Sequence, residues 1–175
     1  MTSFAGAGTD DEPLKVEKTH RGVVVSRWIE KKPPSPYYAN LVRFEGDCDR
    51  LQHYEMCLPA IGLNMSVYTP VGTGGYDKPH TEDTYVNISY NFMTPIDEDR
   101  TRYFWFQHRN TDPDNEEVST FMNKGARMAF EEDREVLEKV HVGMKHAKTR
   151  NIDLGLDAGA KQFRIMVDRK IQAEG

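Results

Sequence analysis

The stretch that decides the fold is Tyr85–Met93, YVNISYNFM. Val86, Ile88, Tyr90 and Phe92 alternate with Asn87, Ser89 and Asn91, the period-two pattern of a strand with two unlike faces. A polar connection, Thr94–Arg100 (TPIDEDR), leads into Arg102–His108 (RYFWFQH), an aromatic strand, and the two make a long hairpin. Upstream, Ile61–Tyr68 alternates in the same way, with Ile61, Leu63, Met65 and Val67 opposite Gly62, Asn64, Ser66 and Tyr68. Further out, Leu14–Lys18 and Val23–Ile29 flank a turn at Gly22, and Arg50–Leu58 is a weaker strand. Lys31–Pro36 (KKPPSP) breaks the pattern as a surface loop. Val71–His80 is a glycine-rich loop too irregular to be a phosphate-binding GxGxxG.

After Asn110 the period changes. Asp112-Pro113 offers a cap followed by proline at the first helical position, and Asp114 with Glu117 offers a capping box. The spacing predicts one long helix from Glu116 to about Thr149, a turn over Asn151–Leu156, and a second amphipathic helix capped by Asp157 and running to about Ile171. Strands first and helices last predict an α+β domain: a curved antiparallel β-sheet packed on a long C-terminal α-helix, a helix-grip arrangement of the START or Bet v1 kind. Residues 1–13 are expected to be a disordered lead, and 14–175 the domain.

Composition narrows the function. The chain has 175 residues, 29% charged and 38% hydrophobic, with acidic residues outnumbering basic ones 28 to 23. That balance argues against a nucleic-acid partner. No apolar run is long enough for a membrane span, and the first residues lack the pattern of a secretory signal. Two cysteines, Cys48 and Cys57, make no disulfide framework, so a cytoplasmic setting is expected.

One side chain on the long helix is out of place. Phe130, Leu137, Val140 and Met144 form the apolar stripe, and Asp133 falls on it. A buried carboxylate without a partner costs several kcal/mol, so it is paired, protonated or metal-bound. Two readings stand: an edge residue paired with an arginine, or a metal ligand. The strand faces are a second clue. Gly62, Asn64, Ser66, Asn87, Ser89 and Asn91 are all small and uncharged where solvent faces of so charged a chain should carry Lys or Glu. Such amides and hydroxyls suit a wall that hydrogen-bonds a ligand, although a plain solvent face fits them as well. If they line a pocket, the opposite apolar faces need cover from a missing domain or a neighbouring subunit. His141 and His146 are five apart and do not share a metal face, and no C-x-H or C-x-x-H pair is present for an iron–sulfur centre.

The segments Tyr90–Asn110 (YNFMTPIDEDRTRYFWFQHRN), Ala129–Glu138 (AFEEDREVLE) and Asp157–Ala173 (DAGAKQFRIMVDRKIQA) resemble the C-terminal catalytic half of Rieske non-haem iron oxygenase α subunits, in the vanillate and dicamba O-demethylase or phthalate dioxygenase-like branch. The resemblance implies that Asp133 is the carboxylate of a two-histidine, one-carboxylate Fe(II) site. It also implies a substrate contact at Asn64, ahead of Pro70-Val71-Gly72, and a second at Asn91, where the dicamba enzyme has histidine. Lys124 stands where that enzyme has an aromatic residue. With Asn87 of the same polar face and Phe104 and Phe106 of the aromatic strand, these are the candidate substrate-binding residues. The family's Rieske motif and its N-x-x-D-x-x-H-x-x-x-x-H iron-ligand segment are both missing from this chain. The expectation is therefore the C-terminal portion of an oxygenase hydroxylating or O-demethylating an aromatic acid. It carries no [2Fe-2S] cluster and no catalytic residue of its own, and is inactive alone. Its partners would be a chain or segment bearing the Rieske domain, a reductase or ferredoxin, and copies of itself in a homotrimer. The competing expectation is a stand-alone helix-grip protein that binds a small aromatic or hydrophobic ligand without catalysis.

Overall fold

A computed structural model describes residues 12–76, 78–147 and 152–175. Most of the expected lead, residues 1–13, and the expected end of the long helix lie outside the described residues. The strands are β1 (Lys15–Lys18), β2 (Gly22–Lys32), β3 (Cys48–Cys57), β4 (Ile61–Pro70), β5 (Tyr85–Pro95) and β6 (Thr101–Arg109). They form one six-stranded sheet in the order β1-β2-β3-β4-β5-β6, every neighbouring pair antiparallel. Helix α1 spans Glu116–His146 and α2 spans Ala158–Glu174. The α+β class read from the alternation is the one observed. The chain divides into two bodies: Asp112–Ile152, which holds α1, and the sheet together with α2.

Register follows the side-chain alternation. Asn64 lies opposite Ser89, Ser66 opposite Asn87 and Gly62 opposite Asn91, so the small polar residues of β4 and β5 share one face. β2 and β3 run further than their hydrophobic pattern suggested. Lys31 adopts a left-handed conformation (φ 52°) inside a bulge between Ile29 and Lys32. The buried Asp49 carboxylate fixes the bulge by accepting from Lys31 N at 3.0 Å and from Gly72 N at 2.7 Å, which also ties down the loop after β4. A long-range hydrogen bond thus makes strand out of residues that local pattern assigns to a loop.

Helix α2 packs against β1 and β2. The approach is close at Gly159, where a Cβ would overlap Val25 Cγ2. Phe163, Met166 and Val167 are half-buried along this helix. The Asp157 carboxylate does not cap α2; it accepts from Leu154 N at 2.8 Å in the turn before it.

In the other body, the cap of α1 is Asn115, not Asp112 or Asp114. Its side-chain oxygen accepts from Glu117 N at 2.9 Å and Val118 N at 3.2 Å. Asp112 and Pro113 are used instead in the preceding turn, where Asn115 N donates to Asp112 O. The expected apolar stripe is exposed towards the helix C-terminus: Leu137 is 65% and Met144 58% exposed, and only Met122, Gly125 and Ala126 are buried.

A candidate ligand-binding face on the sheet

Register assembles the site from the rows that cross the strands. One row reads Arg27, Gln52, Ser66, Asn87, Arg109, and the next reads Val25, Tyr54, Asn64, Ser89, Gln107. A third runs Val23, Met56, Gly62, Asn91, Trp105. Asn87, Ser89 and Asn91 are all buried, at 3%, 6% and 3% exposure. Asn64, in the middle of the sheet, is exposed, as is Tyr54 beside it. The polar face therefore has an open centre bordered by buried amides and hydroxyls.

The segment after β2 covers one end of this face. Tyr38 stacks on Tyr68 with ring centroids 4.6 Å apart and lies 5.8 Å from Tyr85. Its hydroxyl donates to Ser66 Oγ at 3.2 Å and accepts from Asn87 Nδ2 at 3.4 Å. Ser35 Oγ and Tyr68 OH are bonded at 3.3 Å. Burial pushes the phenols of Tyr37, Tyr38, Tyr68 and Tyr85 well above their ordinary range, so all four stay neutral hydrogen-bonding groups. Towards the other end of β5, in the third row, Asn91 is held firmly. Its Oδ1 accepts from Tyr103 OH at 2.8 Å, and its Nδ2 reaches Gly62 O and Ser89 O at 3.4 Å.

Several buried polar atoms on this face have no protein partner among the described residues: Asn87 Oδ1, Ser89 Oγ, Tyr85 OH and Arg27 Nε. Buried groups are almost always paired, and leaving one unpaired costs about 1–3 kcal/mol. Their gathering on one sheet face marks a place where an outside donor or acceptor is wanted.

Phe104 and Phe106 do not join this site. Phe104 pairs with Phe92 and Phe106 with Tyr90, which puts both on the reverse face, and the β6 residues beside the asparagines are Tyr103, Trp105 and Gln107. Strand alternation is the reason, since neighbouring residues point to opposite sides. On the reverse face Phe106 stacks on Tyr90 at 4.9 Å, while Phe104 is 54% and Phe106 44% exposed. Leu63, Met65, Ile88, Tyr90 and Phe92 are half-buried there. This face also holds a cavity of about 110 Å³ under the glycine-rich loop, lined by Trp28, Met65, Thr69, Tyr76 and His80. It is well below the roughly 300 Å³ of a small-molecule pocket.

Asp133, on α1, is half-buried. The ion pairs of the helix bypass it: Arg134 pairs with Glu131 at 2.6 Å and Glu138 at 3.8 Å, and Lys139 with Glu135 at 3.8 Å. The arginine pairing weighed for this residue is not what the neighbouring arginine does. Among the described residues no group of three His, Cys, Asp or Glu side chains could hold a metal ion. Burial pushes the Cys48 thiol up to about 11, and its Sγ donates to Lys32 O. Among those residues, no helix is long and apolar enough to cross a membrane.

Reading the sequence missed Tyr38 as the lid of the polar face, resting on Tyr68 and Tyr85, and it missed Arg27. A signal for Arg27 was present. It interrupts the apolar alternation Val23, Val25, Ile29 of β2, as Asp133 interrupts the stripe of α1.

Comparison with known proteins gives a consistent picture. The model of the family "Vanillate O-demethylase oxygenase C-terminal domain" matches residues 1–173. The iron-sulfur subunit of a toluene-4-sulfonate monooxygenase system from Comamonas testosteroni is 29% identical over 153 residues, covering 87% of this chain and 44% of its own length. A vanillate O-demethylase oxygenase subunit from Pseudomonas sp. (strain HR199 / DSM 7063) is 27% identical over 171 residues, covering 94% of this chain and 48% of its own. The chain thus spans about half the length of these relatives. Among solved structures, dicamba monooxygenase bound to 3,6-dichlorosalicylic acid superposes with a TM-score of 0.81 at 18% identity, over 94% of this chain and 48% of that one. That likeness establishes the fold.

Proposed function

The chain belongs to the vanillate O-demethylase oxygenase C-terminal domain family, and from that premise we propose that its polar sheet face forms the aromatic-acid-binding wall of a Rieske-type oxygenase component. The observation that carries the reading is the set of unpartnered buried atoms, Asn87 Oδ1 and Ser89 Oγ above all, beside an open strip at Tyr54 and Asn64. Asn87 Oδ1 accepts only, so it calls for a ligand hydroxyl; Ser89 Oγ can donate to a hydroxyl or ether oxygen. Tyr38 and Tyr103 orient the two asparagines from either side, so the amides meet the ligand already positioned. Asn64 and Asn91 are proposed contacts of the same wall, whereas Phe104 and Phe106 are not, since they face the other way.

In such an oxygenase the metal supplies oxygen activation, and Asp133 is the residue of this chain proposed to take part in holding it. A facial iron site needs two histidines besides the carboxylate. The described residues do not supply that set, so they do not fit an iron site by themselves. What the chain's own residues do is bind the ring, orient its hydroxyl or ether substituent at Asn87 and Ser89, and keep water from those atoms. The remaining ligands and a Rieske cluster would come from a chain or segment bearing the Rieske domain, and electrons from a reductase or ferredoxin. A cytoplasmic setting and a homotrimer belong to the same proposal.

Calorimetric titration of the purified chain with vanillate tests the reading. Binding is expected, weakened about tenfold or more in Asn87→Leu, as loss of a hydrogen bond in a dry site implies. Absence of binding by the wild-type chain, or an unchanged affinity in the folded variant, would refute it.

A further inference from the structure

On strands β2 to β6 the polar face carries three arginines, Arg27, Arg50 and Arg109, and no Asp or Glu. This is unexpected in a chain whose 28 acidic residues outnumber its 23 basic ones. Arg50 is fully buried and acts on the Tyr68 phenol, and Arg109 Nε donates to Thr111 O at 2.8 Å. Arg27 differs from Arg109 in that its Nε is buried with no hydrogen-bond partner among the described residues, and from Arg50 in that its side chain as a whole is only half-buried.

The surroundings of Arg27 add positive potential. The first turn of α2 packs on Val25 through Gly159. Val25 and Arg27 are alternate residues on one face, about 7 Å apart along the strand. The N-terminal end of a helix presents unsatisfied N–H groups and a partial positive charge. The acidic side chains near that end are engaged locally: Asp157 accepts from Leu154 N, and Asp153 pairs with Lys161 and Arg164. Arg27 is a diagonal neighbour of Tyr54 in the open strip, since Val25 pairs with Tyr54 and Arg27 with Gln52 on the same face.

We infer that Arg27 is the receptor for the oxyanion of the ligand, a ring carboxylate or sulfonate, and so selects acids over their neutral analogues. The inference rests on the reading of this face as an aromatic-acid wall. Arg27 and Asn87 are three strand spacings apart in one row, about 14 Å at the backbone. Because Tyr38 already covers Ser66, the ring is assigned to the open strip at Tyr54 and Asn64 in the adjoining row, with the arginine at one end and the amide towards the other. An oxyanion against the guanidinium makes charge-assisted, bidentate hydrogen bonds that Arg27 does not make among the described residues. The neutral end of the same ligand meets the acceptor Asn87 Oδ1, which would repel a carboxylate. The two ends of the row therefore impose one orientation.

The test compares vanillate, toluene-4-sulfonate and the neutral vanillyl alcohol on the full chain by calorimetry, in wild type, Arg27→Gln and Arg27→Lys. Arg27→Gln is expected to weaken both anions about tenfold or more and to leave vanillyl alcohol within about twofold, with Arg27→Lys recovering part of the loss. Equal weakening of anion and alcohol, or of neither, overturns the assignment. Should one anion be affected and the other not, the receptor is specific to that oxyanion, and the assignment holds for it alone. If Arg27→Gln does not fold, the wild-type protein decides. A preference for vanillate over vanillyl alcohol that shrinks with added salt upholds the inference, and equal affinities overturn it while leaving the aromatic wall intact. Failure of the wild type to bind any of the three would instead remove the wall itself.

Discussion

Removing one oxygen atom from Tyr38 isolates what the lid contributes. Tyr38→Phe keeps the ring, and with it the stacking on Tyr68 at 4.6 Å and the contact with Tyr85 at 5.8 Å. It deletes the hydroxyl that donates to Ser66 Oγ at 3.2 Å and accepts from Asn87 Nδ2 at 3.4 Å. The first bond has ordinary strength and the second is long, so together they contribute about 1–1.5 kcal/mol net. Asn87 is 3% exposed, so its amide is left without water to replace the lost partner, which lifts the cost to about 2 kcal/mol. For a chain of this size that lowers Tm by about 4–8 °C. Thermal unfolding followed by circular dichroism measures it, and a double-mutant cycle with Ser66→Ala apportions it. Coupling of about 0.5–1 kcal/mol between the two is expected. A Tm within 1 °C of wild type, or additive effects in the cycle, would show that the hydroxyl is not bonded as described and that Asn87 is not held by Tyr38.

Other expectations follow from separate parts of the molecule. Gly159→Val should destabilise by about 1–3 kcal/mol, because its side chain has to displace Val25 or lift α2 from the sheet; an unchanged unfolding midpoint would contradict that packing. The Cys48 thiol is raised from 9.0 to about 11 by burial, and the buried phenols are raised from 10.0. The native state therefore holds these protons more tightly than the unfolded chain. Stability is full below pH 9, falls as pH climbs through 9 to 11, and continues to fall as the phenols titrate in the unfolded state. Denaturant titrations across that range check the sign, and stability rising with pH would refute it. Iodoacetamide at pH 8 should spare Cys48 until the protein is unfolded. Asp133→Asn should leave the isolated chain's stability within about 0.5 kcal/mol of wild type or slightly above it, since the neighbouring arginine is engaged elsewhere; a loss above 1 kcal/mol would reveal a structural partner.

What sequence could reveal here was whatever depends on neighbours along the chain. The alternation in Ile61–Tyr68 and Tyr85–Met93 fixed both strands and the pairing of their polar faces, because side chains in a strand change sides at every residue. The same rule, applied to Arg102–His108, separates Phe104 and Phe106 from Asn91; treating that strand as aromatic throughout hid its two faces. The Tyr38 lid depended on a contact across 49 residues to Asn87 and was not written in any local period. The cap of α1 was read at Asp112 before Pro113, or alternatively at Asp114, three residues and one residue ahead of the Asn115 observed; only the second lies within the ordinary uncertainty of helix ends. Arg27 was legible in principle, as a cation in an apolar alternation, by the same argument that singled out Asp133.

The two out-of-place charges differ in what they require of the rest of the protein. Arg27 stands in a row whose members are set by antiparallel register alone, from Gln52 on β3 to Asn87 on β5. Sequential hairpins suffice to bring them together, so the recognition face is complete within the meander. Asp133 lies on a helix that supplies one carboxylate, and a metal site draws ligands from separate elements. Ligand binding and metal holding should therefore come apart experimentally. The isolated chain should bind vanillate with an Arg27-dependent affinity and yet take up Fe(II) only weakly. Tight Fe(II) binding by this chain, lost in Asp133→Asn, would mean that side chains outside the described residues complete the centre. Vanillate binding that appears only when iron is added would mean that the sheet face is not a site in its own right, and that the metal, not register, organises recognition.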